Sequence, residues 1–215
     1  MTRATIILAG GMSARLRGSK PFLLLKGKPL LSHVLARATR FSDEIVLAIG
    51  QTDDIERYQR FLPELVTIAR DNSSLQSPLV GIVTGLRQVK SPYAVVLPCD
   101  HPFLSEQVIS YLYEKVAGFD AAIPRWSNAN IEPLHSVYKV AETISAAENA
   151  LSMNEMRVSG MIERLGNVCY VDVEKLRAFD NDLLTFFNIN TEDDMRRAEE
   201  IFMSTSGSPL LRNMN

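Results

Sequence analysis

The sequence predicts an α/β protein built on a mostly parallel sheet, and two observations carry that prediction. In the first half of the 215-residue chain, short β-branched runs alternate with longer amphipathic segments, the pattern of successive strand–helix units. Hydrophobic residues make up 46% of the chain, which at this length is enough for one sizeable core. We therefore expect a single domain over residues 1–203 and a flexible polar tail at residues 204–215.

The first half of the chain contains three strand–helix units. Short apolar runs predict strands at residues 5–8, 44–48, 66–69 and 93–97. Apolar residues at helical spacing and helix start signals predict helices at residues 29–40, 81–89 and 105–116. Each helix follows a strand, as a parallel sheet requires.

The second half is less regular. Its patterns predict strands at residues 121–123, 134–138 and 169–173, and helices at residues 141–151, 157–164 and 191–203. Thr191 is suited to cap the last helix, whose first turn holds three acidic residues that match the positive end of the helix dipole.

Charge and cysteine content narrow the class of protein. The formal net charge of −2 gives no reason to expect binding to nucleic acid. Cys99 and Cys169 lie far apart and form no Cys-x-x-Cys pair, so we expect a reduced, cytoplasmic compartment. No apolar stretch approaches the roughly 20 residues of a membrane-spanning helix, and we expect no membrane association.

A glycine-containing loop at residues 8–20, LAGGMSARLRGSK, follows the first predicted strand. This position is the carboxyl edge of the sheet, where open α/β folds bind ligands. Gly10 and Gly11 let backbone N–H groups approach a ligand, and Arg15 and Lys20 supply cations for a triphosphate. The spacing fits neither a Walker loop nor a dinucleotide fingerprint. The alternative is an ordinary turn with solvated basic residues.

Asp100 follows the apolar strand at residues 93–97, at the same predicted edge. A carboxylate there is a suitable ligand for Mg²⁺, which takes one or two protein carboxylates together with waters and phosphates. The alternative is that Asp100 caps the helix after Ser105 or closes a turn. We leave the neighbouring His101 outside the catalytic set, and we interpret Cys99 as a small buried side chain.

Three further residues stand at a predicted strand end or helix start on this edge of the sheet. Asp71 follows the third predicted strand, Gly81 begins a predicted helix that offers free N–H groups to an anion or a base edge, and Asn190 precedes the last helix. Thr191 alone satisfies the capping role, so the amide of Asn190 is left to bind a metal or a phosphate-bound water.

Together these residues resemble the molybdenum cofactor guanylyltransferase family of nucleotidyltransferases. Residues 8–20 are similar to the family's opening pattern, LAGGxSxRMGxDK. The other matching segments are LKGKPL at 25–30, SPLVG at 77–81, PCDHPF at 98–103, EPLHSVY at 132–138 and FNINTED at 187–193. The resemblance spans nearly the whole chain, and it implies a three-layer α/β/α, Rossmann-like nucleotidyltransferase fold.

The resemblance also implies an activity. The family transfers GMP from GTP to the phosphate of molybdopterin with Mg²⁺, and its product passes to molybdoenzymes or cofactor-insertion proteins through transient contacts. Residue by residue, the resemblance implies nucleotide contacts from Leu8, Ala9, Gly10, Lys20 and Asp71, and Mg²⁺ binding by Asp100. We assign the catalytic roles to Arg15, Lys20 and Asp100.

Three departures from the family pattern leave the substrate open. Arg17 replaces a glycine, Ser19 replaces an aspartate, and Ala48 stands where some members place a nucleotide-binding asparagine at the end of the second strand. The alternatives are cytidylyl transfer from CTP to molybdopterin, transfer to a sugar phosphate or cobinamide phosphate, and a non-catalytic module that binds a nucleotide or cofactor.

Overall fold

The structure, a computed structural model, describes residues 2–10, 19–71, 73, 75 and 77–206. Its strands are β1 Ala4–Leu8, β2 Leu24–Leu25, β3 Lys28–Pro29, β4 Glu44–Ile49, β5 Val66–Arg70, β6 Tyr93–Pro98, β7 Ala121–Arg125, β8 Ser136–Lys139 and β9 Val168–Asp172. Its α-helices are α1 Leu30–Ala38, α2 Ile55–Gln59, α3 Pro78–Leu86, α4 Glu106–Lys115, α5 Val140–Ser152, α6 Val158–Ile162, α7 Val173–Leu176 and α8 Glu192–Ser206.

Seven of these strands form one sheet in the order β5-β4-β1-β6-β8-β7-β9. Parallel pairing joins β5, β4, β1 and β6, and it also joins β7 to β9. Within this seven-stranded sheet, as far as the described residues show it, β8 is the strand that runs antiparallel to both of its neighbours. Leu8 pairs in register with Ala48 and Pro98, so the carboxyl ends of β1, β4 and β6 meet at one edge.

Helices cover both faces of the sheet, which gives three layers. Alternate residues of β1 point to opposite faces: Ile7 packs with residues of α1 and α4, and Ile6 packs with residues of α3, α5 and α6. Both isoleucines are fully buried. The predicted α/β/α architecture with a mostly parallel sheet is confirmed.

A third apolar cluster joins an early segment of the chain to a late one. Leu25 and Leu30, at the small β2–β3 hairpin, pack with Phe103 and with Ile189 and Ala198 beside and within α8. Lys26 and Gly27 form the hairpin turn with positive φ angles of 51° and 77°. The hairpin and α8 therefore pack beside the carboxyl ends of β1 and β6 and support the sheet edge there.

Several predicted boundaries are wrong. The strand expected at residues 134–138 begins only at Ser136, because Pro133–His135 forms a 3-10 turn. The helix expected from Gly81 begins at Pro78, and α8 continues to Ser206, three residues into the predicted tail. The rest of that tail lies outside the described residues. Across the ranges described, no helix has the length and apolar character to span a bilayer.

Candidate active site

Lys20, Asp100 and Asn190 converge at the carboxyl edge of the sheet. The Lys20 ammonium donates to Asp100 Oδ2 at 2.7 Å and also to Asn190 Oδ1. The side chains of Lys20 and Asp100 keep 22% and 12% of their exposure, so the ion pair is mostly withdrawn from water. Three residues selected from separate sequence motifs thus form one cluster.

Local structure brings each of these residues to the edge. Lys20 begins a 3-10 turn that continues through Pro21, whose fixed φ suits the start of a helical turn. Asp100 comes two residues after β6 ends, and its carbonyl accepts the Ile189 N–H at 3.1 Å. That bond holds the segment before α8 against the end of β6, which places Asn190 beside Asp100.

His101 contacts the other oxygen of the same carboxylate. Its Nδ1 lies 2.8 Å from Asp100 Oδ1, and the residue is 8% exposed. Burial raises the pKa of Asp100, but hydrogen bonds and electrostatic attraction from His101 and Lys20 outweigh it and hold that pKa at about 2. Asp100 is therefore ionised at neutral pH, with a donor on each oxygen.

A second histidine lies behind His101. The His135 ring centroid is 4.4 Å from that of His101 and 5.3 Å from that of Phe186. Within the described part of the chain, neither ring nitrogen of His135 has a hydrogen-bond partner. Burial, followed by the influence of His101, keeps the pKa of His135 well below its usual value, so the ring is neutral and supports His101 by packing.

The first residues of the glycine-containing loop are held on both sides. The Ala9 N–H donates to the Ala48 carbonyl at 2.9 Å, and the Cys99 N–H donates to the Leu8 carbonyl at 3.1 Å. A Cβ on Gly10 would lie 2.9 Å from the backbone nitrogen of Gly50. Glycine is thus required at position 10 by the close approach of the chain leaving β4.

The side-chain oxygens at this edge fit a magnesium ion. Asp100 Oδ2 and Asn190 Oδ1 both face one cation, the Lys20 ammonium, and carboxylate and amide oxygens are the hard ligands that Mg²⁺ takes. No group of three or more His, Cys, Asp or Glu residues suited to a metal occurs within the described ranges. The protein would supply one or two ligands, and triphosphate oxygens and waters the remainder.

Asp71 and Gly81 each have local partners of their own. Asp71 follows β5 at the edge of the sheet, accepts the Ser73 N–H at 2.7 Å, and lines a surface cavity of about 470 Å³ beside α3. Gly81 lies inside α3, and its N–H bonds to the Ser77 carbonyl at 3.4 Å. The prediction of free N–H groups at Gly81 is wrong, because Ser77 caps the helix instead.

The remaining sequence predictions for this edge have mixed outcomes. Gly11 and Arg15 lie outside the described residues. Ala48 is 3% exposed and packs in the core beneath α3, one residue before β4 ends. Cys99 is buried as predicted, and burial raises the pKa of its thiol, which stays protonated. Ser105 caps α4, so Asp100 does not serve as that cap.

The sequence does not place the two histidines in this cluster. A lone histidine beside a proline has no informative spacing, although the position of His101 next to Asp100 is a usable signal. His135 lies 34 residues further along the chain, and only the antiparallel pairing of β6 with β8 brings it to the same edge. A local sequence pattern does not show which strands become neighbours in the sheet.

Comparison with known proteins assigns a family to this geometry. Residues 5–166 match the MobA-like NTP transferase domain. A probable molybdenum cofactor guanylyltransferase from Methanosarcina mazei is 32% identical over 198 residues, covering 90% of this chain and 88% of the relative. A molybdenum cofactor guanylyltransferase from Desulfosudis oleivorans is 31% identical, covering 90% and 93%.

Solved structures support the same fold. The crystal structure of molybdopterin-guanine dinucleotide biosynthesis protein A from Archaeoglobus fulgidus superposes with a TM-score of 0.79 at 32% identity, covering 94% of this chain and 99% of that one. The 4-diphosphocytidyl-2C-methyl-D-erythritol synthase from Anaerococcus prevotii superposes with a TM-score of 0.69 at 15% identity, covering 94% and 96%. The second likeness concerns the fold alone.

Proposed function

This chain belongs to the MobA-like NTP transferase family, and from that premise we propose that it transfers GMP from GTP to the phosphate of molybdopterin. The products are pyrophosphate and the guanine dinucleotide form of the molybdenum cofactor. The chain is an enzyme of the nucleotidyltransferase class. Relatives named molybdenum cofactor guanylyltransferase, at 31–32% identity over about 90% of the chain, support the choice of nucleotide and acceptor.

One observation carries the proposal: the Lys20 ammonium and the oxygens of Asp100 and Asn190 meet at one point on the sheet edge. A triphosphate needs cations to neutralise it, and a bound magnesium needs hard oxygens. This edge provides both next to the first residues of the loop. A mostly desolvated site of this kind makes each charge interaction stronger than it is in water.

In the proposed reaction, an oxygen of the acceptor phosphate attacks the α-phosphorus of GTP. A new phosphorus–oxygen bond forms, the bond to the α–β bridging oxygen breaks, and pyrophosphate leaves with that electron pair. A phosphate monoester is mostly ionised at neutral pH, so the nucleophile needs no general base. The protein's contribution is then orientation and charge neutralisation.

Each residue has a defined part in this scheme. Lys20, together with Arg15 of the same loop, would donate to the phosphates, and the Leu8–Gly10 backbone would line the nucleotide. Asp100 and Asn190 would hold Mg²⁺, which neutralises phosphate charge when bound. Contacts from Gly11, Asp71 and Gly81 to the nucleotide stay predictions. So do a cytoplasmic location, in keeping with two free cysteines, and transient delivery of the product to molybdoenzymes or cofactor-insertion proteins.

The test is to supply the purified protein with GTP, CTP, ATP or UTP, each with Mg²⁺, and to measure thermal unfolding and pyrophosphate release. A ligand that binds only the native state raises its stability, so we expect GTP to give the largest protection. We expect release only when molybdopterin is also present. Selective protection by CTP would replace the guanylyl assignment with cytidylyl transfer, and turnover with a sugar phosphate or cobinamide phosphate would replace the acceptor.

A further inference from the structure

Tyr58 on α2 connects the two ends of the glycine-containing loop. Its side chain is 1% exposed, and its hydroxyl lies 3.3 Å from the Ala9 carbonyl oxygen and 3.5 Å from Asp53 Oδ2. Burial raises the pKa of the Tyr58 hydroxyl, and the neighbouring Ser19 side chain acts against that rise as a hydrogen-bonding group. A phenolic hydroxyl has one proton to donate, so the Ala9 carbonyl and the Asp53 carboxylate share that proton as acceptors. Ala9 and Ser19, which lie near the two ends of the loop, are thus both neighbours of one oxygen atom.

Asp53 extends this contact to the end of β4. Its Oδ2 accepts the Gly50 N–H at 2.8 Å. Gly50 in turn lies so close to Gly10 that a Cβ on Gly10 would be 2.9 Å from the Gly50 nitrogen. Tyr58, Asp53 and Gly50 therefore form a continuous support beneath the first residues of the loop.

The far end of the loop rests on the same helix. Phe22, in the 3-10 turn that begins at Lys20, has its ring centroid 4.7 Å from that of Tyr58. The Arg57 guanidinium lies over the Phe22 ring, 3.9 Å from its centroid, a distance at which cation–π attraction is favourable. Helix α2 thus holds the segment that carries Lys20 as well as the segment that carries Ala9.

We propose that Tyr58 is a positioning residue that fixes the spacing between the Leu8–Gly10 backbone and Lys20, and thereby sets the affinity of the site for a nucleoside triphosphate. The inference rests on the nucleotide site described under the proposed function. The hydroxyl is the group that would have this effect, because a phenylalanine ring would fill the same space without making its hydrogen bonds. Burying a hydroxyl is costly unless it is hydrogen-bonded, and the bonds made by this one connect the two ends of the loop.

The first test compares Tyr58→Phe with Tyr113→Phe. Tyr113 is 5% exposed, donates to the Ala4 carbonyl, and accepts the Val95 N–H at 3.0 Å, so it loses comparable bonds at the opposite end of β1. We expect Tyr58→Phe to raise the KM for GTP about fivefold, the effect of one lost hydrogen bond, with kcat within about twofold. Tyr113→Phe should leave both constants unchanged. Equal KM values in the two variants would overturn the proposal.

A second measurement does not depend on nucleotide binding. Amide hydrogen exchange in the ligand-free proteins should be faster in Tyr58→Phe, in peptides that contain Ala9, Gly10, Ser19 and Lys20, and unchanged there in Tyr113→Phe. If no triphosphate protects the wild-type protein, the proposed function fails, and the exchange comparison still decides the role of Tyr58. Unchanged exchange in those peptides would overturn it.

The contribution of Ser19 can be separated with a double-mutant cycle. If Ser19 and Tyr58 act through one shared hydrogen bond, Ser19→Ala should add little to the effect of Tyr58→Phe on the KM for GTP, because neighbouring residues in one network are not additive. Fully additive effects would show that Tyr58 does not act on the Lys20 side of the loop, and would contradict the proposal for that side.

Discussion

At the scale of single residues, Asp100 is the centre of the site because each of its oxygens has a different partner. Lys20 contacts Oδ2 and His101 contacts Oδ1. A buried carboxylate is costly unless it is paired and hydrogen-bonded, and here both conditions are met. The same oxygens that stabilise the ligand-free site are the ones a nucleotide-bound cation would need.

Replacing Asp100 by asparagine keeps the shape of the side chain and removes its charge. We expect Mg²⁺-dependent pyrophosphate release to fall about 100-fold or more, the effect of losing one key electrostatic group, with the fold retained. Steady-state pyrophosphate release and thermal unfolding measure the two effects. The control is Asp43→Asn, because Asp43 bonds the Arg3 N–H at the opposite edge of the sheet. Full activity in Asp100→Asn would contradict the metal assignment.

The low pKa of Asp100 gives a second residue-level prediction. A folded pKa of about 2, below the usual 3.8, means that ionised Asp100 stabilises the native state above pH 3.8, and that this stabilisation is lost as the pH falls towards 2. In Lys20→Met one donor is removed, so the pKa of Asp100 should rise towards 3.8, and its stabilisation should be smaller and be lost over a narrower pH range. Carboxyl carbon NMR titration measures the midpoint, and an unchanged midpoint would mean that Lys20 does not hold the pKa down.

Sequence motifs were sufficient to find the polar residues that touch one another. Lys20, Asp100 and Asn190 each stand next to a recognisable strand end or helix start, and parallel strands bring such positions to one edge. The supporting residues were not predicted, because Tyr58 and His135 reach the site only through tertiary packing. A buried aromatic residue in a short helix looks the same in sequence whether or not its hydroxyl is used.

At the scale of elements, the start of α8 fixes Asn190. The Asp194 carboxylate accepts the N–H groups of Asn190 and Thr191 at 3.0 and 2.9 Å, and the Thr191 hydroxyl accepts the Asp194 N–H at 3.1 Å. This reciprocal arrangement is a capping box. It explains why Asn190 lies just before the helix, where its amide oxygen accepts from the Lys20 ammonium.

Asp194→Ala should therefore affect both stability and the site. We expect a loss of about 1 kcal/mol of unfolding free energy, typical of a removed cap, and a higher Mg²⁺ concentration for half-maximal activity because Asn190 is released. Urea unfolding and a Mg²⁺ titration of the rate measure these effects. Asp193→Ala is the matched control, since Asp193 pairs with Arg196 on the exposed surface, where ion pairs contribute little. Equal Mg²⁺ requirements in the two variants would exclude a role for the cap in the site.

Most predicted elements lie within a few residues of their observed bounds, including the five-residue α6, whereas α2, α7 and the β2–β3 hairpin were not predicted. The five-residue α2 is too short to show a helical period, and the two-residue strands of the β2–β3 hairpin leave no alternation. The antiparallel direction of β8 could not be predicted from the local sequence either. Parallel and antiparallel strands can have the same apolar pattern when helices cover both faces of the sheet.

At the scale of the whole molecule, the two glycines of α3 differ in how closely they bring the helix to the sheet. A Cβ on Gly85 would lie 2.5 Å from Cγ2 of the fully buried Ile6, whereas a Cβ on Gly81 would lie 3.3 Å from Cδ2 of Leu8. The first contact is with a methyl group held close to the backbone. The second is with the end of a flexible side chain that can move aside.

Gly85→Ala should therefore destabilise the protein by about 1–3 kcal/mol through overpacking. Gly81→Ala should be close to neutral, because about 1 kcal/mol of gained helix propensity offsets a mild contact. Urea unfolding of the two variants measures the difference in unfolding free energy. Equal stabilities would mean that α3 can move away from β1 without a measurable loss of unfolding free energy.

The separation of the site residues along the chain has a consequence for biosynthesis. Lys20 and Asp100 are 80 residues apart, and Lys20 and Asn190 are 170 apart, so the site consists of contacts of high sequence separation. Such contacts form late, because the entropy of closing long loops must be overcome first. On the ribosome, the segments that hold Lys20 and Asp100 emerge well before α8. A nascent chain therefore lacks the amide of Asn190 beside Lys20 until α8 has emerged and docked.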